Sequence, residues 1–127
     1  MMDTLTIQAT PKTPFISADP IDNKIIIKGR SIPSNPIEFY QPLTDWLYVY
    51  SNKCEQGTIS ADVNIEYINT SSSKCLLTIF KRLDMMSKKG WKVEINWFYN
   101  EDDDEIYTAG ADYQALISCP MELIEVF

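Results

Sequence analysis

The sequence predicts an α/β fold, a mixed sheet with its helices packed mainly on one face. Residues 59–67 and 91–99 alternate apolar and polar side chains, the period-two pattern of a strand with one buried and one wet face. Between them, residues 71–89 form a long amphipathic helical pattern with an apolar stripe. A crossover of this length makes the two strands parallel. Because strands of a doubly wound sheet are apolar on both faces, the alternation favours helices on one face only.

The remaining elements are predicted in chain order. Residues 1–14 hold two prolines among polar residues and are expected to be a loose start. Residues 15–18 and 24–28 are predicted strands joined by a turn. Residues 37–50 are apolar at helical spacing, and Pro42 is expected either to begin the main helix or to kink a longer one. A weaker helix at 104–116 and a last strand at 121–127 complete the prediction.

Length and charge limit the function classes. The 127 residues suit one domain spanning 1–127. A formal net charge of -7 disfavours nucleic acid and anionic membrane surfaces as partners. No apolar run approaches the roughly 20 residues of a membrane-spanning helix, and no stretch has the form of a signal peptide. The cytoplasm is therefore the expected location.

Catalytic chemistry has few candidate residues. Histidine is absent, which removes the commonest general base and metal ligand. Three cysteines without C-x-x-C spacing are typical of reduced thiols. The acidic run at 101–105 lacks the ligand spacing of a calcium loop and is expected to be a solvated lead into a helix. We therefore expect no catalytic residue, metal or cofactor; the alternative is a small hydrolase that uses a Ser/Thr nucleophile or the acidic run.

The most informative stretch joins the alternating strand to the long helix and reads E-Y-I-N-T-S-S-S-K over residues 66–74. Four consecutive hydroxyl residues are more than one helix cap requires. Asn69, Thr70 or Ser71 can act as the N-cap, worth about 1 kcal/mol. A helix amino end also favours negative charge, so a phosphate is well accommodated there. It would add a charge of about -1.5 to -2 where a partner could dock.

This segment, with the helix that follows it, resembles the signature of the SiaC-type regulatory phosphoproteins, which are similar to the STAS domains of anti-sigma-factor antagonists. The similarity extends to the G-R-S-I-P-S-N-P stretch at 29–36, to Phe39, Tyr40 and Trp46, and to Gly90-Trp91. The resemblance implies a single STAS-like domain in which the threonine of N-T-S-S, here Thr70, is reversibly phosphorylated. The residues implied to surround the phosphosite are Asn69, Ser71, Ser72 and Ser73.

The same resemblance implies the partners of a non-enzymatic switch. These are a dedicated Ser/Thr kinase, a PP2C-type phosphatase and an effector that binds the unphosphorylated form. In the best-known branch of the family the effector is a diguanylate cyclase that controls aggregation or biofilm formation. The alternative is a STAS-type anti-sigma-factor antagonist in a partner-switching pathway, which differs only in its effector.

The helix pattern also predicts a docking surface. If the apolar stripe faces the sheet, the residues that point outward on successive turns are Lys74, Thr78, Lys81 and Met85. An exposed methionine beside basic residues suits a protein-binding surface. A solvated helix face with one stray methionine would give the same pattern, so both interpretations stay open from the sequence.

Overall fold

The computed structural model describes residues 2–126 and contains a six-stranded sheet with three helices. The elements in chain order are β1 (Leu5–Ile7), β2 (Phe15–Asp19), β3 (Lys24–Ser31), α1 (Pro36–Lys53), β4 (Thr58–Ile68), α2 (Thr70–Lys88), β5 (Lys92–Asn100), α3 (Asp104–Leu116) and β6 (Met121–Val126). The first three strands pair antiparallel, and β3 to β6 pair parallel. The predicted mixed α/β architecture is confirmed, as is the parallel pairing across α2.

The strand order explains why the helices share one face. The order in the sheet is the order in the chain, so each crossover steps in the same direction. Crossovers between parallel strands are right-handed almost without exception, which places α1, α2 and α3 on the same side. The burial pattern of β4 agrees, because Ile59, Ala61 and Val63 are buried while Ser60 and Asp62 between them are partly exposed.

The core lies between the sheet and the helix layer. Under α2, an aromatic cluster joins β5 to α3, with ring centroids of Phe80 and Tyr113 4.9 Å apart and those of Trp97 and Tyr113 5.3 Å apart. Offset edge-to-face pairs of this kind add to the free energy of area burial. The cluster therefore fixes α2 and α3 relative to each other.

The loose start expected for residues 1–14 is wrong for Leu5–Ile7, which form an edge strand on β2. Leu5 and Ile7 are half-buried against the core. Three residues in a polar context are too short for a period-two pattern to be recognised.

Of the two possibilities that the sequence left for Pro42, the structure shows the second, in which the proline lies inside a longer helix. It begins at Pro36, after the N-cap Asn35, and continues through Pro42. Pro42 cannot donate to the carbonyl of Glu38. Both residues are exposed, so water can satisfy that carbonyl.

A β-bulge shifts the end of β4. Gly29 pairs with Ile65 but Arg30 pairs with Tyr67, which leaves Glu66 as the extra residue. Gly29 has φ +128, a conformation that glycine adopts without steric cost. Tyr67, which the alternation places on the buried face, is instead 49% exposed, and the Arg30 guanidinium lies over its ring, 5.7 Å from the centroid.

Candidate functional site

The junction between β4 and α2 is built around Asn69. Its side-chain oxygen accepts a hydrogen bond from the Ser72 N–H at 2.9 Å, which makes it the N-cap of α2. Its backbone N–H donates to the Ser31 carbonyl at 3.1 Å. Of the three cap candidates, Asn69 is thus the one used, and Thr70 is the first residue of the helix.

The four hydroxyl residues differ in accessibility. Thr70 and Ser71 are exposed. Ser72 is fully buried, and its Oγ has no hydrogen-bond partner among the described residues. Ser73 is half-buried, and its Oγ lies 2.8 Å from the Tyr113 hydroxyl, which also bonds the Ser73 carbonyl at 2.9 Å. Within the run, an enzyme can reach Thr70 and Ser71 without disturbing the packing.

The electrostatics of this helix end favour added negative charge. The first turn of α2 contains no acidic residue, so the positive end of the helix dipole is not neutralised by its own side chains. Lys74 lies one turn after Thr70 and is exposed. Residues four apart are neighbours on a helix surface, so Lys74 can approach an anion attached to Thr70.

A groove of about 380 Å³ opens beside the junction. It lies between the first turn of α1 and the first two turns of α2, and its lining residues are Ser34, Asn35, Pro36, Ile37, Ser71, Lys74, Cys75 and Thr78. Ile37 is 72% exposed. Burial raises the pKa of the Cys75 thiol, which therefore stays protonated and acts as an apolar lining residue.

The four residues predicted to point outward do so. Lys74, Thr78, Lys81 and Met85 are all exposed on the outer face of α2. The Thr78 hydroxyl donates to the Lys74 carbonyl at 3.2 Å, and the Lys74 ammonium forms no ion pair within residues 2–126. The structure brings these residues to the same side of the molecule as the groove.

Two hydroxyl contacts, one buried and one half-buried, support the junction, and sequence reasoning missed both. Ser31 is buried beneath the start of α2, and its Oγ lies 2.5 Å from the Tyr40 hydroxyl of α1. Burial raises the pKa of Tyr40 to about 12, although the Ser31 contact opposes the shift. Burial also raises the pKa of Tyr113, which holds Ser73. Because the partners are 9 and 40 residues apart in sequence, no local pattern identifies them.

The acidic run lies at the start of α3. Asp103 is the N-cap, with its carboxylate accepting from the Ile106 N–H at 3.0 Å, and Asp104 and Glu105 occupy the first turn. Among residues 2–126, no group of three or more His, Cys, Asp or Glu side chains is arranged to hold a metal ion. Asp103 therefore caps α3, and the two acidic residues after it place negative charge at the positive end of the helix dipole. Over residues 2–126, no helix combines the length and apolar character needed to cross a bilayer.

Comparison with known proteins places this geometry in a family. A relative from Pseudomonas aeruginosa (strain UCBPP-PA14), itself uncharacterised, is 25% identical over 122 residues, 96% of each chain. The solved structure of SiaC of Pseudomonas aeruginosa is 25% identical, with a TM-score of 0.91 over 98% of this chain and 100% of that one. A structure of the diguanylate cyclase SiaD in complex with its activator SiaC, from the same species, matches with a TM-score of 0.90 at 24% identity, covering 96% of this chain and 99% of the matched one. The family model for SiaC family regulatory phosphoproteins matches residues 7–126, and the chain therefore belongs to the SiaC family.

Proposed function

We propose that this chain is a non-enzymatic signalling protein in which reversible phosphorylation of Thr70 controls the binding of a protein effector. The observation that carries the proposal is the exposed Thr70 side chain at the first residue of α2, in a member of a family of regulatory phosphoproteins. Helix ends open at little free-energy cost. A kinase can therefore reach this side chain without unfolding the sheet.

Accessibility supports Thr70 over most of its neighbours. Phosphorylation of Ser72 would require a fully buried side chain to turn outward, and phosphorylation of Ser73 would break its contact with Tyr113. Ser71 is exposed and is the competing candidate. The N-T-S-S resemblance favours the threonine over Ser71.

The phosphate is proposed to act on the partner rather than on the fold. It adds a charge of about -1.5 to -2, and the amino end of α2, which has no acid in its first turn, accommodates that charge. A partner seated over the junction would have to desolvate the phosphate. A loss of about 1.4 kcal/mol is already tenfold in affinity, and burying an unpaired charge costs more.

A diguanylate cyclase is the effector class we propose, with control of biofilm formation or aggregation as the output. SiaC of Pseudomonas aeruginosa is the activator of such a cyclase. A Ser/Thr kinase and a PP2C-type phosphatase would set the phosphorylation state, and all of these proteins would meet in the cytoplasm. The residues proposed to contact the effector are Lys74, Thr78, Lys81 and Met85. The domain, taken as 1–127, needs no cofactor for this role.

The site is tested by mass spectrometry of the protein from its native cells. We expect a fraction heavier by one phosphate, and peptide mapping should place that phosphate on Thr70. Ser71→Ala should leave the modified fraction unchanged, whereas Thr70→Ala should abolish it. A phosphate found only outside residues 69–73 would refute the site.

The switch is tested with a purified diguanylate cyclase from the same organism. Thr70→Ala should bind and activate the cyclase as well as the unphosphorylated wild type does. Thr70→Glu and the phosphorylated protein should bind about tenfold or more weakly. Ser71→Glu, with the same charge one residue away, is the matched control and should have the smaller effect. Equal affinity of Thr70→Ala and Thr70→Glu in calorimetry would contradict the mechanism.

A further inference from the structure

Helix α2 is basic in an acidic protein. It carries Lys74, Lys81, Arg82 and Lys88 against the single carboxylate of Asp84, so its net charge is +3. Because the whole chain has a net charge of -7, the residues outside α2 have a net charge of -10. Asp84 is buried, where its carboxylate accepts backbone N–H bonds from the loop before β6 and pairs with Lys88 at 3.6 Å. The outer face of α2 therefore presents cations without an exposed carboxylate of its own.

Apolar side chains lie among these cations. Helices α1 and α2 follow the parallel strands β3 and β4 and run side by side. Beside α2, α1 exposes Ile37 at 72% and Tyr48 at 58%, and α2 exposes Met85 at 51%. The Arg82 guanidinium lies over the Tyr48 ring, 5.7 Å from the centroid. At 1.5 Å per residue, the 19 residues of α2 give this strip a length of about 28 Å.

We infer that this strip is the docking surface for an acidic segment of the effector, an inference that rests on the function proposed above. We call it the α1–α2 seam, defined by Ile37, Tyr48, Lys74, Lys81, Arg82 and Met85. Carboxylates of the segment pair with the cations of α2, and its apolar side chains cover the isoleucine, tyrosine and methionine.

Charge and chemistry favour an acidic protein segment over other anions. The remainder of the chain, at -10, repels a phosphodiester backbone or an anionic bilayer as a whole. A protein segment can be acidic locally and still offer apolar side chains to the exposed Ile37, Tyr48 and Met85. Aromatic residues, methionine and arginine are also the side chains enriched at protein interfaces.

The seam gives the Thr70 phosphate a specific action. Lys74 lines the groove and follows Thr70 by one helical turn. A phosphate on Thr70 is close enough to pair with this ammonium. It thereby removes one cation from the seam and repels the approaching carboxylates.

The experiment compares two double charge reversals for binding to the diguanylate cyclase that binds Thr70→Ala. Lys74→Glu/Lys81→Glu alters the seam at two exposed lysines that form no ion pair within residues 2–126. Lys12→Glu/Lys28→Glu is the matched control, because both lysines are exposed, lie outside α1 and α2, and give the same change in net charge. We expect the seam variant to lose about tenfold or more in affinity and the control to stay within about twofold. Circular dichroism shows that each variant is folded.

Zero-length carbodiimide coupling locates the contact, because it joins a lysine amine to a carboxylate only when the two touch. Cross-links from Lys74 or Lys81 to cyclase Asp or Glu residues are expected, and binding should weaken as salt rises through the range in which surface charges are screened. If Thr70→Glu weakens binding while both double variants bind normally, the seam is wrong and the proposed switch stands. If no Thr70 variant differs, the switch itself is wrong.

Two other occupants of the seam, an anionic membrane and a second copy of the chain, are tested by direct binding measurements. Binding of the chain to phosphatidylserine vesicles that is lost in Lys74→Glu/Lys81→Glu, with cyclase binding retained, would assign the seam to a membrane and overturn the inference. Sedimentation that shows a dimer of the chain alone, lost in the same variant, would assign it to a second copy. A monomer that ignores vesicles supports the acidic segment.

Discussion

Toward α3, helix α2 is held by polar bonds and aromatic contacts, whereas toward α1, on which it also packs, an open groove lies beside the first turns of the two helices. On the α3 flank, Ser73 bonds Tyr113, and Asp84 accepts N–H bonds from Ser118 and Cys119 at 3.0 and 2.8 Å. On the α1 flank, the groove of about 380 Å³ opens beside exposed side chains. We call the α3 side of α2 the closed flank and the α1 side, with its groove, the open flank. Because the closed flank fixes the helix, the open flank can exchange partners without a change of fold.

The two flanks of α2 should respond differently to substitution. Substitutions on the closed flank should lower stability and leave effector binding intact in the molecules that remain folded. Substitutions on the open flank should weaken effector binding and leave stability nearly unchanged, because its exposed residues contribute little to the core.

The largest effect is expected for Gly110→Ala, behind the closed flank. An added Cβ would lie 2.4 Å from Trp97 Cδ1 and 2.6 Å from Nε1. The Trp97 side chain is fully buried and donates to the Ile106 carbonyl at 2.9 Å, so it cannot move aside cheaply. We expect a loss of about 3 kcal/mol, measured by urea unfolding.

Gly57→Ala is the control for that substitution. Its added Cβ would meet only the Glu55 carbonyl oxygen, at 3.9 Å, so the free energy of unfolding should change by less than about 0.5 kcal/mol. Equal losses for the two alanines would show that α3 does not pack tightly through Gly110, and the closed flank would lose its main support.

The second effect concerns Asp84, which ties α2 to the loop before β6. Burial opposes its ionisation, but the N–H groups of Cys119 and Ser118 and the charge of Lys88 outweigh that and lower the pKa of the carboxyl. Asp84→Ala would leave both N–H groups unpaired, for a loss of about 2 kcal/mol. Effector affinity should not change.

The sign of the pH dependence follows from the lowered pKa. A carboxyl that ionises more readily in the folded state stabilises the protein above its unfolded pKa of about 3.9, and this contribution is lost as the pH falls through the folded pKa. Wild-type stability should therefore drop below about pH 4 more steeply than that of Asp84→Asn, which keeps the shape but has no charge to lose. Parallel pH curves in urea unfolding would contradict the role of the carboxylate.

The part of the structure that could be predicted from the sequence also differs between the two flanks. The strand, helix and strand around α2 were predictable, because their apolar periods are long and uninterrupted. The N-T-S-S run located the junction but not the hydroxyl that points outward. Successive helix residues turn by about 100°, so the hydroxyls that point outward could be identified only once Asn69 was known to be the cap. The sequence predicted only a weaker helix at 104–116, and not the contact of Gly110 with Trp97, since these two residues meet only in the folded chain.

Two further misses have the same origin. The bulge at Glu66 reverses the side chains that follow it, and an extra residue in a strand leaves no mark in composition. Tyr67 therefore lies on the open face of the sheet, with Arg30. Strand β1 pairs through only three residues, fewer than any periodic pattern requires. Short or irregular pairings are decided by tertiary contacts rather than by local sequence.

The third prediction tests whether the closed flank also fixes the amino end of α2. Tyr113→Phe removes the hydroxyl that bonds both the Oγ and the carbonyl of Ser73 but keeps the edge-to-face contact of the ring with Phe80. We expect a loss of about 1 kcal/mol and faster amide exchange in the first turn of α2. Tyr107→Phe, at an exposed position of the same helix, should change neither measurement. A change in effector affinity for Tyr113→Phe larger than its stability loss would show that the two flanks are coupled.

The smallest change in stability, and the sharpest test of the comparison, is expected for Thr70→Glu. The side chain is exposed and the first turn of α2 has no acid, so the new charge should stabilise the helix by about 0.5 kcal/mol at low salt, through the helix dipole and Lys74. The same charge should weaken effector binding. A switch on the open flank requires that one substitution raise the free energy of unfolding and lower the effector affinity. The charge stabilises the exposed helix end but has to be desolvated beneath a partner. Thermal unfolding at low and high salt measures the first effect, which should fade as salt screens it. If Thr70→Glu instead lowers stability in step with binding, the charge acts by loosening α2, and the rigid closed flank is not what separates the two functions.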